Sequence, residues 1–328
     1  MSSTGKKVTN MPQSAARLLV TGATGQLGSL VVERLLQSVP SASVAVLARR
    51  PDAATLAETR RLRELGVDVR VGDYDDRSSL DAAFKDIERL LFISSSAVGA
   101  RVGQHRNVVD AARAAQVGLI AYTSLLHTDS SPLQIADEHR ATEAMIVESG
   151  LPYVMLRNNW YTENYLAGIA AALGRSVLNG AAGDGRIASA TRADYAAAAG
   201  EVLLADRHPG GTILELAGDT AFTLTELAAE ITRQSGRPVR YENLDPGAYE
   251  TALKTAGLPD AAAAVVADAD AGATRGALFD DGRVLSRVIG RPTTPMAESV
   301  RRALAGEKTH DARSTDRSQA GSRRHLRP

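Results

Sequence analysis

Residues 18–36 read LLVTGATGQLGSLVVERLL. An apolar run breaks at three glycines, Gly22, Gly25 and Gly28, then resumes with a different period. The change from continuous apolar character to helical spacing marks a strand turning into a helix. Each glycine then has a physical role. Gly22 lets the chain turn sharply, and Gly25 lacks the Cβ that would keep a pyrophosphate off the backbone. Gly28, one turn into the helix, lets the helix lie close on the sheet. The free N–H groups and positive dipole end of that helix would face the phosphates. Gly22, Ala23, Thr24, Gly25, Gln26, Leu27 and Gly28 are therefore predicted to form the phosphate loop of a dinucleotide site. A glycine triplet alone is weak evidence, but here it follows a strand and opens a helix in the first βα unit.

Outward from that unit, short β-branched runs alternate with helical patterns. RLLVTG, SVAVLAR, VDVRVGD, RLLFISSS, GLIAYTS and PYVMLR read as strands, with helical stretches between them. Gly150 is placed to stop the helix of DEHRATEAMIVESG. The alternation predicts an α/β fold: a Rossmann-type doubly wound parallel sheet with helices on both faces, followed by a smaller C-terminal α/β region. The near-continuously apolar LLFI and VAVL suit parallel strands buried on both faces. The expected organisation is a tail over 1–16, an NADP-binding Rossmann domain over 17–157, a smaller substrate-side region over 158–303 and a second tail over 304–328. A strand near 212–217 is expected to rejoin the first domain. YTENYLAGIAAAL reads as one helix, and Thr223 with Glu226 three residues on is a capping box closed by Gly236. The Ala/Gly/Asp-rich stretch 258–282 is read as a cover.

The bulk composition excludes several classes. Lys plus Arg and Asp plus Glu both number 38, so no global field recruits nucleic acid or an anionic membrane. The absence of cysteine removes disulfides, thiolate metal sites and cysteine nucleophiles, and fits a cytoplasmic location. No run of ~18 apolar residues offers a membrane span, and the polar start lacks the apolar core of a secretory signal. The six histidines, at 105, 127, 139, 208, 310 and 325, show no ligand spacing for a metal.

The strand after the first helix indicates which dinucleotide. An NAD site places an acid ~20 residues on, to grip the ribose diol. Here Arg49 stands 21 residues after Gly28, and no carboxylate comes before Asp52. A guanidinium bonds a 2′-phosphate through two donors, whereas a carboxylate repels it. NADP(H) is therefore predicted, with a surface arginine ending a strand as the plainer reading. Asp73 and Tyr74 follow the third strand, where adenine should lie. Ser94, Ser95 and Ser96 end the fourth strand at the carboxyl edge of the sheet, either meeting the cofactor or merely starting a loop.

The G-x-x-G-x-x-G spacing is that of short-chain dehydrogenase/reductase folds, whose carbonyl reduction commonly uses a Tyr-x-x-x-Lys pair. None of the five lysines, Lys6, Lys7, Lys85, Lys254 and Lys308, lies four residues after a tyrosine. Tyr122, near the fifth strand, is followed by Leu126 instead. A reaction that survives this loss needs hydride transfer without a tuned acid. Quinone reduction fits, because the hydroquinone anion is stabilised by its own ring and water can protonate it. Catalysis is then largely positioning.

TGATGQLG, LLFISSSAVGARVGQHRNV, AYTSLLHTDSSPL, ADEH, LRNNWYTENYL and GAAGDGRIASATRADYAAAA together resemble the bacterial type 2 NAD(P)H:quinone oxidoreductases. These are atypical short-chain dehydrogenases of the NmrA-like group, and the similarity runs from about residue 17 to 303. The resemblance implies a flavin-free, metal-free enzyme that reduces small quinones with NADPH. It places the phosphate loop on Gly22 to Gly28, the ribose-phosphate arginine on Arg49, and the nicotinamide-side segment on Asn158, Asn159, Trp160, Tyr161, Thr162, Glu163 and Asn164. Tyr122, Trp160, Tyr161 and Asn164 are candidates to line the quinone pocket. Asn159 stands where the family usually has glycine, which leaves pocket width open. His139 stands where related reductases carry a catalytic lysine, as a candidate proton shuttle or a structural histidine. The same group contains NADP(H)-sensing regulators without catalysis, the alternative function.

Overall fold

The computed structural model describes residues 18–49, 56–206 and 210–306. The expected tail over 1–16 lies outside these residues, as does that over 304–328 apart from residues 304–306. The first half alternates as the apolar pattern predicts: β1 (Leu18–Val20), α1 (Gln26–Leu36), β2 (Val44–Ala48), α2 (Leu56–Glu64), β3 (Asp68–Val71), α3 (Arg77–Ala83), β4 (Arg89–Phe92), α4 (Arg101–Ala114), β5 (Leu119–Leu125), α5 (Ala136–Glu148) and β6 (Tyr153–Asn158). The second half runs α6 (Thr162–Leu166), α7 (Ile169–Arg175), β7 (Val177–Gly180), α8 (Arg192–Leu204), β8 (Thr212–Leu216), α9 (Leu224–Ser235), β9 (Arg240–Asn243), α10 (Pro246–Thr255), α11 (Asp260–Ala273), α12 (Val284–Ile289) and α13 (Met296–Leu304).

Seven strands form one parallel sheet in the order β3-β2-β1-β4-β5-β6-β8, a doubly wound Rossmann-type architecture. Every residue of β2 (VAVLA) and β5 (LIAYTSL) is buried, which is why these strands carry no polar alternation. Edge strand β3 (DVRV) is exposed at both ends. Helices α1 and α8, with α12 packed against α8 and β8, cover one face over Val20, Val46, Ala121 and Leu156. Helices α3, α4 and α5 cover the other face over Leu19, Leu90, Ile120 and Met155.

The chain runs outward from β1 through β2 to β3, then returns to β4 on the far side of β1. This reversal opens a crevice at the carboxyl ends of β1 and β4, where such sheets receive ligands. Thr21 braces it: its hydroxyl donates to the Leu91 carbonyl at 3.1 Å and accepts from the Ile93 N–H at 2.9 Å.

The C-terminal region builds its own core from α9, α11, α13 and a two-stranded parallel sheet, β7 with β9. Its helix α9 begins on the capping box, Thr223 accepting from the Glu226 N–H at 3.1 Å and Glu226 from the Thr223 N–H at 2.7 Å. The helix expected over Tyr161–Leu173 is instead two helices, α6 and α7, interrupted at Ala167 and Gly168. The stretch read as a cover is largely α11, whose Ala263, Ala267, Ala269 and Ala273 are buried. Beyond it the Leu278 carbonyl accepts from the Ala188 N–H at 2.8 Å, bringing the segment back toward the sheet.

Candidate active site

The glycine loop has the geometry that its sequence requires. Gly22 sits at φ +58°, in the left-handed region. A Cβ on Gly28 would lie 2.2 Å from the Gly22 carbonyl oxygen and 2.8 Å from the Ala23 Cα, so only glycine lets α1 approach the turn this closely. Gly25 is the N-cap of α1 and supplies no side-chain acceptor, and the first turn carries no acidic residue. The leading N–H groups are left open to an anion at the positive end of the helix. Gly22, Gly25 and Gln26 are exposed and Thr24 half-buried at this mouth, while Ala23 and Leu27 anchor the loop in the core.

Arg49 follows β2 directly and is exposed, one strand over from the loop. Asp73 shapes the turn after β3, its Oδ1 accepting from the Asp75 N–H at 3.1 Å. Tyr74 reaches inward rather than out: its hydroxyl contacts the Thr21 Oγ1 at 2.6 Å and donates to the Ile93 carbonyl at 2.9 Å. Burial pushes its phenol well up. Tyr74 therefore ties the ends of β1, β3 and β4 together under the crevice floor.

The serines after β4 are held by their backbones. The Ser94 N–H donates to the Thr123 hydroxyl at 2.9 Å, and the Ser95 N–H to the Nε2 of His105 at 2.9 Å. Because Nε2 accepts, the other His105 nitrogen carries the proton and faces the Thr142 hydroxyl at 2.8 Å. Ser96 is exposed. Arg101, the first residue of α4, is buried and donates through Nε to the Ser95 carbonyl at 2.6 Å. Its Nη1 lies 3.4 Å from the His139 Nε2 and 3.8 Å from the Glu138 carboxylate. No spacing in the sequence singles out Arg101 or His105.

Tyr122 is fully buried, with its hydroxyl 2.8 Å from the His139 Nδ1. It supports the crevice from behind and presents no surface to a substrate, contrary to the pocket-lining expectation. His139 is 5% exposed, and burial, then the neighbouring Arg101 and His105, pushes its pKa down to about 3. A buried imidazole held neutral in this way suits the structural histidine of the two expectations.

The exit from β6 gathers the remaining candidates. Asn159 is buried, donates both amide hydrogens to the Ala188 and Leu278 carbonyls at 2.9 Å, and accepts from the Trp160 N–H at 2.8 Å. It joins this exit to the returning segment, and its polar atoms serve the chain rather than a pocket. Thr162 bonds the Ser189 hydroxyl at 2.9 Å. Glu163 accepts from the Arg192 N–H at 2.9 Å, and Asn164 Oδ1 accepts from the Arg192 guanidinium at 2.9 Å. That guanidinium lies over the Tyr161 ring, 4.5 Å from its centroid. Arg192, at the start of α8, was not visible as a site residue in the sequence. Asn158 and Trp160 are buried, yet Asn158 Oδ1 and Trp160 Nε1 have no hydrogen-bond partner among the described residues. Buried unmatched polar atoms are costly, and at a sheet's carboxyl edge they mark where a ligand completes the bonding.

An uncapped helix start, a glycine cradle that a Cβ would fill and an orphaned amide oxygen fit a dinucleotide laid across the crevice. Among the described residues no helix is long and apolar enough to cross a membrane.

Comparison with known proteins agrees with this geometry. The chain is 54% identical to quinone oxidoreductase 2 of Escherichia coli K12 over 283 residues, covering 86% of this chain and 97% of that protein. The crystal structure of the NADPH-dependent E. coli quinone oxidoreductase complexed with NADPH matches with a TM-score of 0.83 at 53% identity, over 88% of this chain and 99% of that one. The Citrobacter sp. triphenylmethane reductase complexed with NADP(H) matches with a TM-score of 0.82 at 34% identity, over 88% of this chain and 100% of that one. The model of the NmrA-like family matches residues 14–272. With its fold, its crevice and these relatives in agreement, the chain belongs to the NmrA-like family.

Proposed function

We propose that this protein is an NADPH-dependent reductase of small quinones, working in the cytoplasm without flavin or metal. The observation that carries the reading is the full-length likeness to an NADPH-dependent quinone oxidoreductase, joined to a crevice in which an open helix start and Arg49 suit a phosphorylated dinucleotide. The Gly22–Gly28 loop would hold the pyrophosphate through backbone N–H groups, and Arg49 the 2′-phosphate. Asn158 Oδ1 would accept from the nicotinamide carboxamide, completing its missing bond. Ser94 and Ser95, with their N–H groups held by Thr123 and His105, give that end of the crevice a fixed floor. The bound dinucleotide supplies the hydride. The chain would position the acceptor beside it and exclude water through the exit of β6, where Trp160 is buried in a cluster that includes Leu125, Leu133 and Ile135.

A non-catalytic NADP(H) sensor is the competing reading. The enzymes named above, whose likeness extends through the substrate side as well as the phosphate side, favour catalysis. Purified protein mixed with NADPH and a simple benzoquinone decides the matter. We expect the nicotinamide absorbance to fall far faster than in the protein-free control, and NADPH binding with no such fall would support the sensor.

A further inference from the structure

The side chain of Tyr161 differs from the other tyrosines of the sheet's carboxyl edge. The hydroxyls of Tyr74 and Tyr122 are locked into buried bonds. Tyr161 is half-buried and packs against the core cluster that includes Ala23 and Leu27 of the glycine loop. The neighbouring Asn158 side chain, whose Oδ1 has no partner among the described residues, pulls the Tyr161 pKa down. Among the described residues no acceptor takes the hydroxyl hydrogen of Tyr161. The Arg192 guanidinium lies over the ring at 4.5 Å, and Tyr195 meets it edge-on at 5.5 Å.

We propose that Tyr161 donates the proton that completes quinone reduction, with Asn158 and Arg192 stabilising the phenolate it leaves. The proposal rests on the quinone-reductase reading and adds to it an acid that the sequence, lacking Tyr-x-x-x-Lys, did not reveal. A cation over the ring face favours phenolate over phenol, the service a neighbouring lysine renders in that pair. Burial raises the phenol's pKa above its ordinary value, and Arg192, then Asn158, offset only part of that rise. Arg101 acts in the same sense and Glu163 against it, although Glu163 is itself 3.6 Å from the Arg192 guanidinium. In the step, the quinone receives the hydride supplied by NADPH. The Tyr161 O–H bond breaks, the proton bonds to the carbonyl oxygen that has gained negative charge, and neutral hydroquinone leaves. Solvent then reprotonates the phenolate.

The test compares Tyr161→Phe with the parent across benzoquinones whose hydroquinones range from weakly to strongly basic. General acid catalysis contributes on the order of 10²-fold or more where the product anion is basic, and little where it is not. The kcat loss should therefore climb along the series from a few-fold to about 10²-fold, while NADPH affinity by fluorescence titration is unchanged. A loss equal across the series, or none, overturns the proposal. Independently of turnover, the difference in phenolate absorbance between the parent and Tyr161→Phe gives the Tyr161 titration. Arg192→Met should move it to higher pH, and an unmoved titration overturns the phenolate role. A parent that reduces no quinone overturns the function and this role together, whereas an active parent with a flat series overturns this role alone.

Discussion

Arg49 is one exposed side chain at the end of a strand, yet in the proposed function it would select between two coenzymes that differ by a single phosphate. Losing charge-assisted hydrogen bonds of this kind costs ~1.5–3 kcal/mol, about 10- to 100-fold in affinity. Arg49→Ala should weaken NADPH binding by that factor and leave NADH nearly untouched, as measured by fluorescence titration of both. Equal losses would remove Arg49 from the 2′-phosphate. At this scale the sequence was readable where backbone geometry restricts the residue type. Gly28 is glycine because a Cβ would strike the Gly22 carbonyl, and that restriction is visible as spacing. Contacts between residues far apart in the chain leave no such trace. Tyr161 and Arg192 stand 31 positions apart, and Arg101 meets His139 across two different helices, so neither pair forms a pattern a reader could find.

Among the elements, β6 carries the heaviest electrostatic load. Arg157, 3% exposed, donates to Glu143 at 2.6 and 3.0 Å, to Asp129 at 2.8 and 2.9 Å and to Glu215 at 2.8 Å. One guanidinium thus fastens α5, the loop after β5 and strand β8 to the middle of the sheet edge. Removing one partner of a buried ion pair leaves uncompensated charge and costs ~3–5 kcal/mol. Arg157→Met should lower unfolding free energy by about that amount in denaturant melts, although its apolar volume is similar. A loss below about 1 kcal/mol would show that solvent already screens the group. The sequence displayed the strand but not the network, since the partners of Arg157 lie 14, 28 and 58 positions away along the chain. The β7–β9 sheet escaped notice for a related reason. Each strand has four residues, and β9 (RYEN) is exposed at both ends, so neither shows an extended apolar period.

For the molecule as a whole, two buried imidazoles contribute to the response to acid. His105 and His139 are both pushed down to about 3 from an ordinary value of 6.5, chiefly by burial and then by Arg101. Between those limits the unfolded chain binds the two protons and the folded chain does not, so stability is present in full above about pH 6.5 and is lost as pH falls toward 3. Each proton contributes a slope approaching ~1.4 kcal/mol per pH unit. His139→Gln should reduce the acid slope of the unfolding free energy by about one proton, whatever it does to stability at pH 7. An unchanged slope would mean that His139 is charged in the fold.

The path of the main chain adds a constraint of its own. After leaving β6 the polypeptide builds α6, α7, β7 and α8, and only then returns to lay β8 against β6 as the outermost ribbon. Part of the C-terminal region, α6, α7 and β7, thus lies between two neighbouring strands of the seven-stranded sheet, while α9 to α13 follow β8. A nick between residues 180 and 190 would leave two fragments interlocked through a shared hydrogen-bonded ladder. Such halves should stay associated after cleavage and separate only when the whole assembly melts.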